Sequence, residues 1–129
     1  MTVELKYLAW TALLTALIWI PYILNTIGVR GLVDAVGYPE NPKPLARWAQ
    51  RMKDAHYNAI ENLAPFAALV LVAHAVGVHN DATVAACVTY FWARVVHLAV
   101  YTLGIPWLRT LAFFVGFVCQ VVLAWQILA

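Results

Sequence analysis

Charge is what this sequence has least of. Asp, Glu, Lys and Arg make up 11% of it, against about a quarter in an ordinary soluble domain. The hydrophobic share is 64% over 129 residues, more apolar surface than a soluble fold of this size can bury. Cysteine is also scarce. Cys87 and Cys119 each sit inside an apolar run, with no CxxC and no Cys/His partner at metal-ligand spacing. Both read as small buried hydrophobes, and nothing points to a disulfide framework. The few basic residues are local to one loop, which argues against a nucleic-acid partner. No HExxH, GxxxxGK[ST] or GxSxG pattern occurs, so zinc-peptidase, phosphate-loop and serine-hydrolase readings have no anchor. The N-terminal apolar run is too long for a signal peptide, its basic end is a single Lys6 beside Glu4, and no A-x-A site follows.

What is present is hydrophobic length. Apolar stretches over residues 5–27, 56–77, 82–103 and 106–128 are each near the ~20 residues that cross a bilayer. The expected fold class is therefore all-α and integral to the membrane, a bundle of four transmembrane helices forming one domain over 1–129. Pro21 falls inside the first span, where a kink is tolerated in a bundle. Gly28 is read as its end, and 28–50 as a loop. The second helix is expected to start at Pro44 and stop near Gly77, longer than its spanning part. Asn80-Asp81 reads as a turn and cap, Gly104 as the end of the third span and Pro106 as the start of the fourth.

Arg30, Lys43, Arg47, Arg51 and Lys53 fall in or beside the first loop and Arg109 follows the third, while Lys6 is the only cation on the other side. The positive-inside rule then makes both loops cytoplasmic and both termini external. A multi-pass protein of a bacterial inner membrane is expected.

Two polar stripes enter the spans. Arg51, Asp54, Asn58, Glu61 and Pro65 share a sector about 80° wide on the second helix, and Arg94, His97 and Tyr101 one about 60° wide on the third. Both lie at the cytoplasmic level. A charge inside a transmembrane helix costs about 2.5–3.5 kcal/mol on the insertion scale, so it turns inward and finds a partner. Glu61 with Arg94 is the expected pair. Asn58 and His97 as interhelical hydrogen bonders could be glue alone. The full set, with Arg109 at the mouth, also suits a cavity for a small anionic, amide-rich molecule. His74 and His79 are read as structural or exposed, and His56 as a surface or subunit contact.

The stretch RMKDAHYNAIENLAPF resembles the R-x-x-x-A-H-x-N-x-x-E-x-x-x-P-F pattern of the MAPEG family, the membrane-associated proteins of eicosanoid and glutathione metabolism. ARVVHLAVYTLGIPWLRTLAF resembles that family's R-x-x-H-x-x-x-Y helix, with its short loop and following Arg. The resemblance implies a homotrimer that binds glutathione between subunits toward the cytoplasm, forms its thiolate, and adds it to hydrophobic electrophiles or reduces peroxides. By the same resemblance Asn58 and Glu61 are glutathione contacts, His97 and Tyr101 line the pocket, and Arg94 is structural. Arg109 faces the thiol, and Thr110 takes the place of a catalytic hydroxyl residue. Arg30 matches a first-helix Arg that meets the carboxylates. One position departs: Asp54 stands where glutathione-using members carry Arg, four residues before the Asn. Arg51 and Lys53 are the nearest cations in sequence, and Arg51 is placed with the binding set.

Three functions remain open on these residues: a membrane glutathione transferase or peroxidase, a non-catalytic lipid or small-molecule binder or scaffold of the same fold, and a small multidrug-type transporter. The last class uses a membrane Glu, usually in its first span, and here that span holds no acid below Glu4. Membrane lipids, a hydrophobic substrate and glutathione are the expected partners.

Overall fold

The computed structural model describes residues 1–129. Five helices make four rods: α1 (Val3–Leu17), α2 (Trp19–Val36), α3 (Arg47–Ala75), α4 (Asp81–Leu103) and α5 (Pro106–Leu128). Helices α1 and α2 run end to end as one span, so four rods are long and apolar enough to cross a membrane.

The division between α1 and α2 falls at Ile18. Pro21 has no N–H for the carbonyl of Leu17, so the helical ladder is interrupted one turn before it. Gly28 does not end the first span. The helix runs on to Val36, and the real break is Gly31, whose φ of 78° lies in the left-handed region. A glycine in a helix interior costs only about 1 kcal/mol, so helical neighbours carried the chain through Gly28. The segment expected as a loop from residue 28 is therefore helical as far as Val36 on both sides of the kink at Gly31. Helix α3 begins at Arg47 rather than Pro44, because Ala46 is still extended at ψ 149°. Its 29 residues make a rod roughly 44 Å long.

The other ends follow the punctuation. Asn80 caps α4 through a reciprocal box with Thr83, each side chain bonding the other's backbone N–H at 3.0 Å. Gly104 closes α4 in the left-handed conformation, with Ile105 N–H returned to the Val100 carbonyl. Pro106 opens α5.

Helix α4 is the central rod, packed on α5, α3 and α1. Its core contact is the flat stack of Phe66 on Tyr90, with centroids 3.8 Å apart, joined by Val70, Cys87, Cys119 and Leu123. Both cysteines are free and buried there. A second cluster, Ile18, Tyr22, Leu45, Ala49 and Ala59, holds α2 against α3. Thr11, Thr15 and Thr26 return their hydroxyls to the carbonyl four residues earlier. That satisfies a polar group without a second helix.

His56 belongs to this core rather than to the surface. It is buried, its Nδ1 meets the Tyr22 hydroxyl at 2.7 Å, and its Nε2 meets the Thr15 carbonyl at 2.9 Å. A carbonyl only accepts, so Nε2 carries the proton and Nδ1 receives the Tyr22 O–H. One imidazole thus ties both halves of the first span to α3.

Candidate functional site

Arg94 is buried and finds no carboxylate. Its Nη2 donates to Asn58 Oδ1 at 2.8 Å and lies 3.4 Å from His97 Nδ1, while its Nε has no partner. The expected Glu61–Arg94 pair does not form: Glu61 is exposed, and the sole acid–base contact in the chain is Glu4 with His79. The two stripes do meet, but one turn earlier on α3, at Asn58. Asn62 extends the network by donating to the Asn58 carbonyl at 2.9 Å, and Gln120 of α5 donates to the Asn62 carbonyl at 3.3 Å. Donation from Arg94 requires an unprotonated Nδ1 on His97, which leaves that ring's proton on Nε2.

His97 stands edge-on to Tyr101, with centroids 5.4 Å apart. The Arg109 guanidinium lies over the other side of this arrangement, 4.6 Å from the Tyr101 ring centre, a cation–π contact that fixes the head group without using its N–H donors. Asn58, His97, Tyr101, Arg109, Thr110 and Phe113 together line an open hollow of about 310 Å³. Thr110 contributes a hydroxyl that otherwise reaches only the Pro106 carbonyl, at 3.3 Å.

A second hollow, about 220 Å³, adjoins it and shares Tyr101 and Arg109; its other walls are Arg51, Gly104, Ile105 and Pro106. Two of the sequence candidates lie apart from both. Arg30 donates from Nε to the Lys43 carbonyl at 2.7 Å, pinning the returning loop. Glu61 lines neither hollow. Asp54 accepts from Gln50 at 3.0 Å, on its own helix.

Sequence reasoning missed a polar cluster at the opposite end. Glu4 is buried and accepts from His79 Nδ1 at 2.7 Å and from the Thr83 hydroxyl at 2.8 Å. His79 is therefore bonded, and an acid near the start of a span facing a histidine in the next outer turn was the available signal. His74 and His79 line an open hollow of about 240 Å³ with Glu4 and Thr2.

No curated protein and no solved structure matches the chain. The family comparison does: residues 7–129 match the MAPEG family along nearly the whole length. The chain, with its four apolar rods, belongs to the MAPEG family, a family of membrane glutathione transferases and peroxidases.

Proposed function

We propose that the protein is a membrane thiol transferase or peroxidase that binds glutathione in the hollow of Asn58, His97, Tyr101, Arg109 and Thr110. The observation that carries this reading is Arg109. Its guanidinium is held by the Tyr101 ring, forms no hydrogen bond or ion pair with the chain, and lines a hollow whose walls contain no carboxylate. A free thiol has a pKa of about 8.5, and an adjacent cation favours its thiolate. The thiolate is the reactive nucleophile. It attacks an electrophilic carbon, forming a C–S bond as the leaving group departs with its electron pair, or a peroxide oxygen, forming an S–O bond as the O–O bond breaks; the departing alkoxide takes a proton from water, and the sulfenic acid condenses with a second glutathione thiol to give the disulfide and water. Asn58 and His97, oriented by Arg94, supply amide-type and imidazole partners for the peptide part of the ligand. Lipid-soluble substrates reach the site from the bilayer, which the apolar Phe113 side of the hollow would face.

The same reading places this end of the bundle toward the cytoplasm, in a homotrimer whose neighbouring subunit completes the hollow. The open shape of the hollow, and a lining in one chain that does not include Arg30 or Glu61, support an additional wall. A second reading, a binder of the same fold without turnover, draws on Asp54, which replaces a cation by an acid.

Calorimetry of glutathione with the detergent-purified protein, paired with ultraviolet absorbance of the thiolate, tests the proposal. Binding with a thiolate signal that Arg109→Ala abolishes is the expected result. Binding without any thiolate signal favours the second reading, and no binding at millimolar glutathione removes both for this thiol.

A further inference from the structure

One exposed apolar patch lies past the end of a spanning rod and outside both hollows of the thiol site. The first rod has 34 residues, well beyond the ~20 that cross a bilayer. Its long apolar stretch ends at Ile27. Gly31 stands roughly 6 Å further along the helix, within a headgroup layer about 5–8 Å deep. The helix is interrupted there, and residues 32–36 form a short turn of their own.

That turn is amphipathic. At 100° per residue Leu32, Val33, Ala35 and Val36 fill a sector about 160° wide, and Asp34 falls opposite its centre. Leu32 is 61% exposed, Val36 74% and Val33 81%, and Tyr38 just past the turn is fully exposed. Single apolar side chains on a surface are ordinary, but a contiguous set marks a contact.

The shape of the segment is built. Gly31 has a φ of +78°, where side chains are strained, and a Cβ on Gly37 would stand 2.8 Å from the Val33 carbonyl oxygen. Two glycines therefore bracket the turn. The returning arm is tied to the same rod twice: Arg30 Nε donates to the Lys43 carbonyl at 2.7 Å, and the Ala46 N–H to Asn25 Oδ1 at 3.0 Å. Leu45 is buried against Ile18 and Tyr22. Residues 31–42 thus close a hook at the rim of the bundle. Lys43 and Arg47 beside it are exposed and form no ion pair. The acids of the hook are Asp34, opposite the patch, and Glu40, on the returning arm.

We infer that this hook is a lipid anchor. The apolar side of residues 32–36, with Tyr38, beds into the boundary between headgroups and acyl chains. Asp34 faces water, and Lys43 and Arg47 meet the phosphates of anionic phospholipid. An apolar sector with an acid directly behind it matches a water–lipid boundary. Five apolar side chains fall far short of the ~20–30 residues a side in a stable protein interface. A turn this short binds little by itself, and the span that precedes it holds it at the surface. The anchor in return fixes the depth and rotation of the first span.

The experiment places a nitrobenzoxadiazole probe on Val33→Cys and, separately, on Asp34→Cys, in phosphatidylcholine nanodiscs with and without phosphatidylglycerol. Cys87 and Cys119 are buried, so wild type carried through the same labelling supplies the baseline. At position 33 the emission is expected to shift to the blue and to be quenched by doxyl-labelled lipid, with little effect of aqueous iodide. At position 34 the order reverses. Phosphatidylglycerol is expected to raise the lipid quenching at 33, each cation near an anionic surface favouring the bound state about fivefold, and Lys43→Gln with Arg47→Gln cancels that gain. Tyr38→Cys supplies the same reading where a label at 33 disturbs the turn. Iodide quenching at both 33 and 34 puts the hook in water and overturns the proposal. A probe at 33 shielded from iodide and doxyl lipid alike gives the patch to a second copy of the chain, which overturns it as well. Lipid quenching that phosphatidylglycerol leaves unchanged overturns the phosphate contacts of Lys43 and Arg47.

Discussion

Asn58→Leu tests the central junction of the bundle. The substitution keeps the approximate volume and removes Oδ1, the acceptor 2.8 Å from Arg94 Nη2. Arg94 is 4% exposed and its Nε is already unpaired. The variant therefore leaves a buried guanidinium with a single long contact to His97 at 3.4 Å. A hydrogen bond to a charged group contributes about 1.5–3 kcal/mol. Interhelical bonds in membranes average nearer 0.6 kcal/mol, because a chain unfolded in the bilayer also finds partners. The first figure governs here, since the packed surroundings of Arg94 provide no replacement, and the expected loss is about 2 kcal/mol. Mixed-micelle denaturant titration followed by circular dichroism, at fixed protein concentration, measures it. Asn58→Asp puts a carboxylate at the same place and is expected to cost less than Asn58→Leu, because it leaves the already buried Arg94 cation partnered rather than unpaired. Glu61→Gln is expected to stay within about 0.5 kcal/mol, as exposed substitutions do. A neutral Asn58→Leu beside a destabilised Glu61→Gln would refute the argument and return Glu61 to Arg94.

Tyr22→Phe removes the donor to His56 Nδ1 and leaves a buried acceptor open; a loss of about 1–2 kcal/mol is expected in the same titration, and an unchanged midpoint would count against the buried tie. Thr83→Val keeps the shape but removes the hydroxyl that serves Glu4 and the Asn80 N–H. It should cost about 1–2 kcal/mol through the lost cap and the weakened acid contact, and hydrogen exchange should quicken in the turn around residues 77–83; unaltered exchange there would show that the turn is held otherwise.

The span count, a polar level toward one end of the bundle and several helix ends were legible in the sequence. Hydrophobic length counts spans because lipid supplies no partner for backbone groups. Gly104, Pro106 and the Asn80–Thr83 pair mark ends because their chemistry is local. Gly28 misled for the opposite reason: a glycine permits a break without requiring one, and Gly31, three residues on, took the positive φ.

Periodicity also identified which residues share a face on α3 and on α4. It could not say which of them touch. Asn58 and Glu61 lie on one stripe, and whether Arg94 meets the first or the second depends on the axial register and rotation of the two helices. The Phe66–Tyr90 stack and the core around it fix that register. His56 and Glu4 were hidden for the same reason. Their partners lie 34 and 75 residues away in sequence, Tyr22 and His79. The sequence alone determined the membrane class, the four spans and the residue types available at one end. Only the tertiary structure decided that Asn58 rather than Glu61 holds Arg94, and that Arg51 and Arg109 share one hollow. Composition and period act along a chain, whereas the pairing of buried polar groups is a property of how packed helices slide and turn against each other.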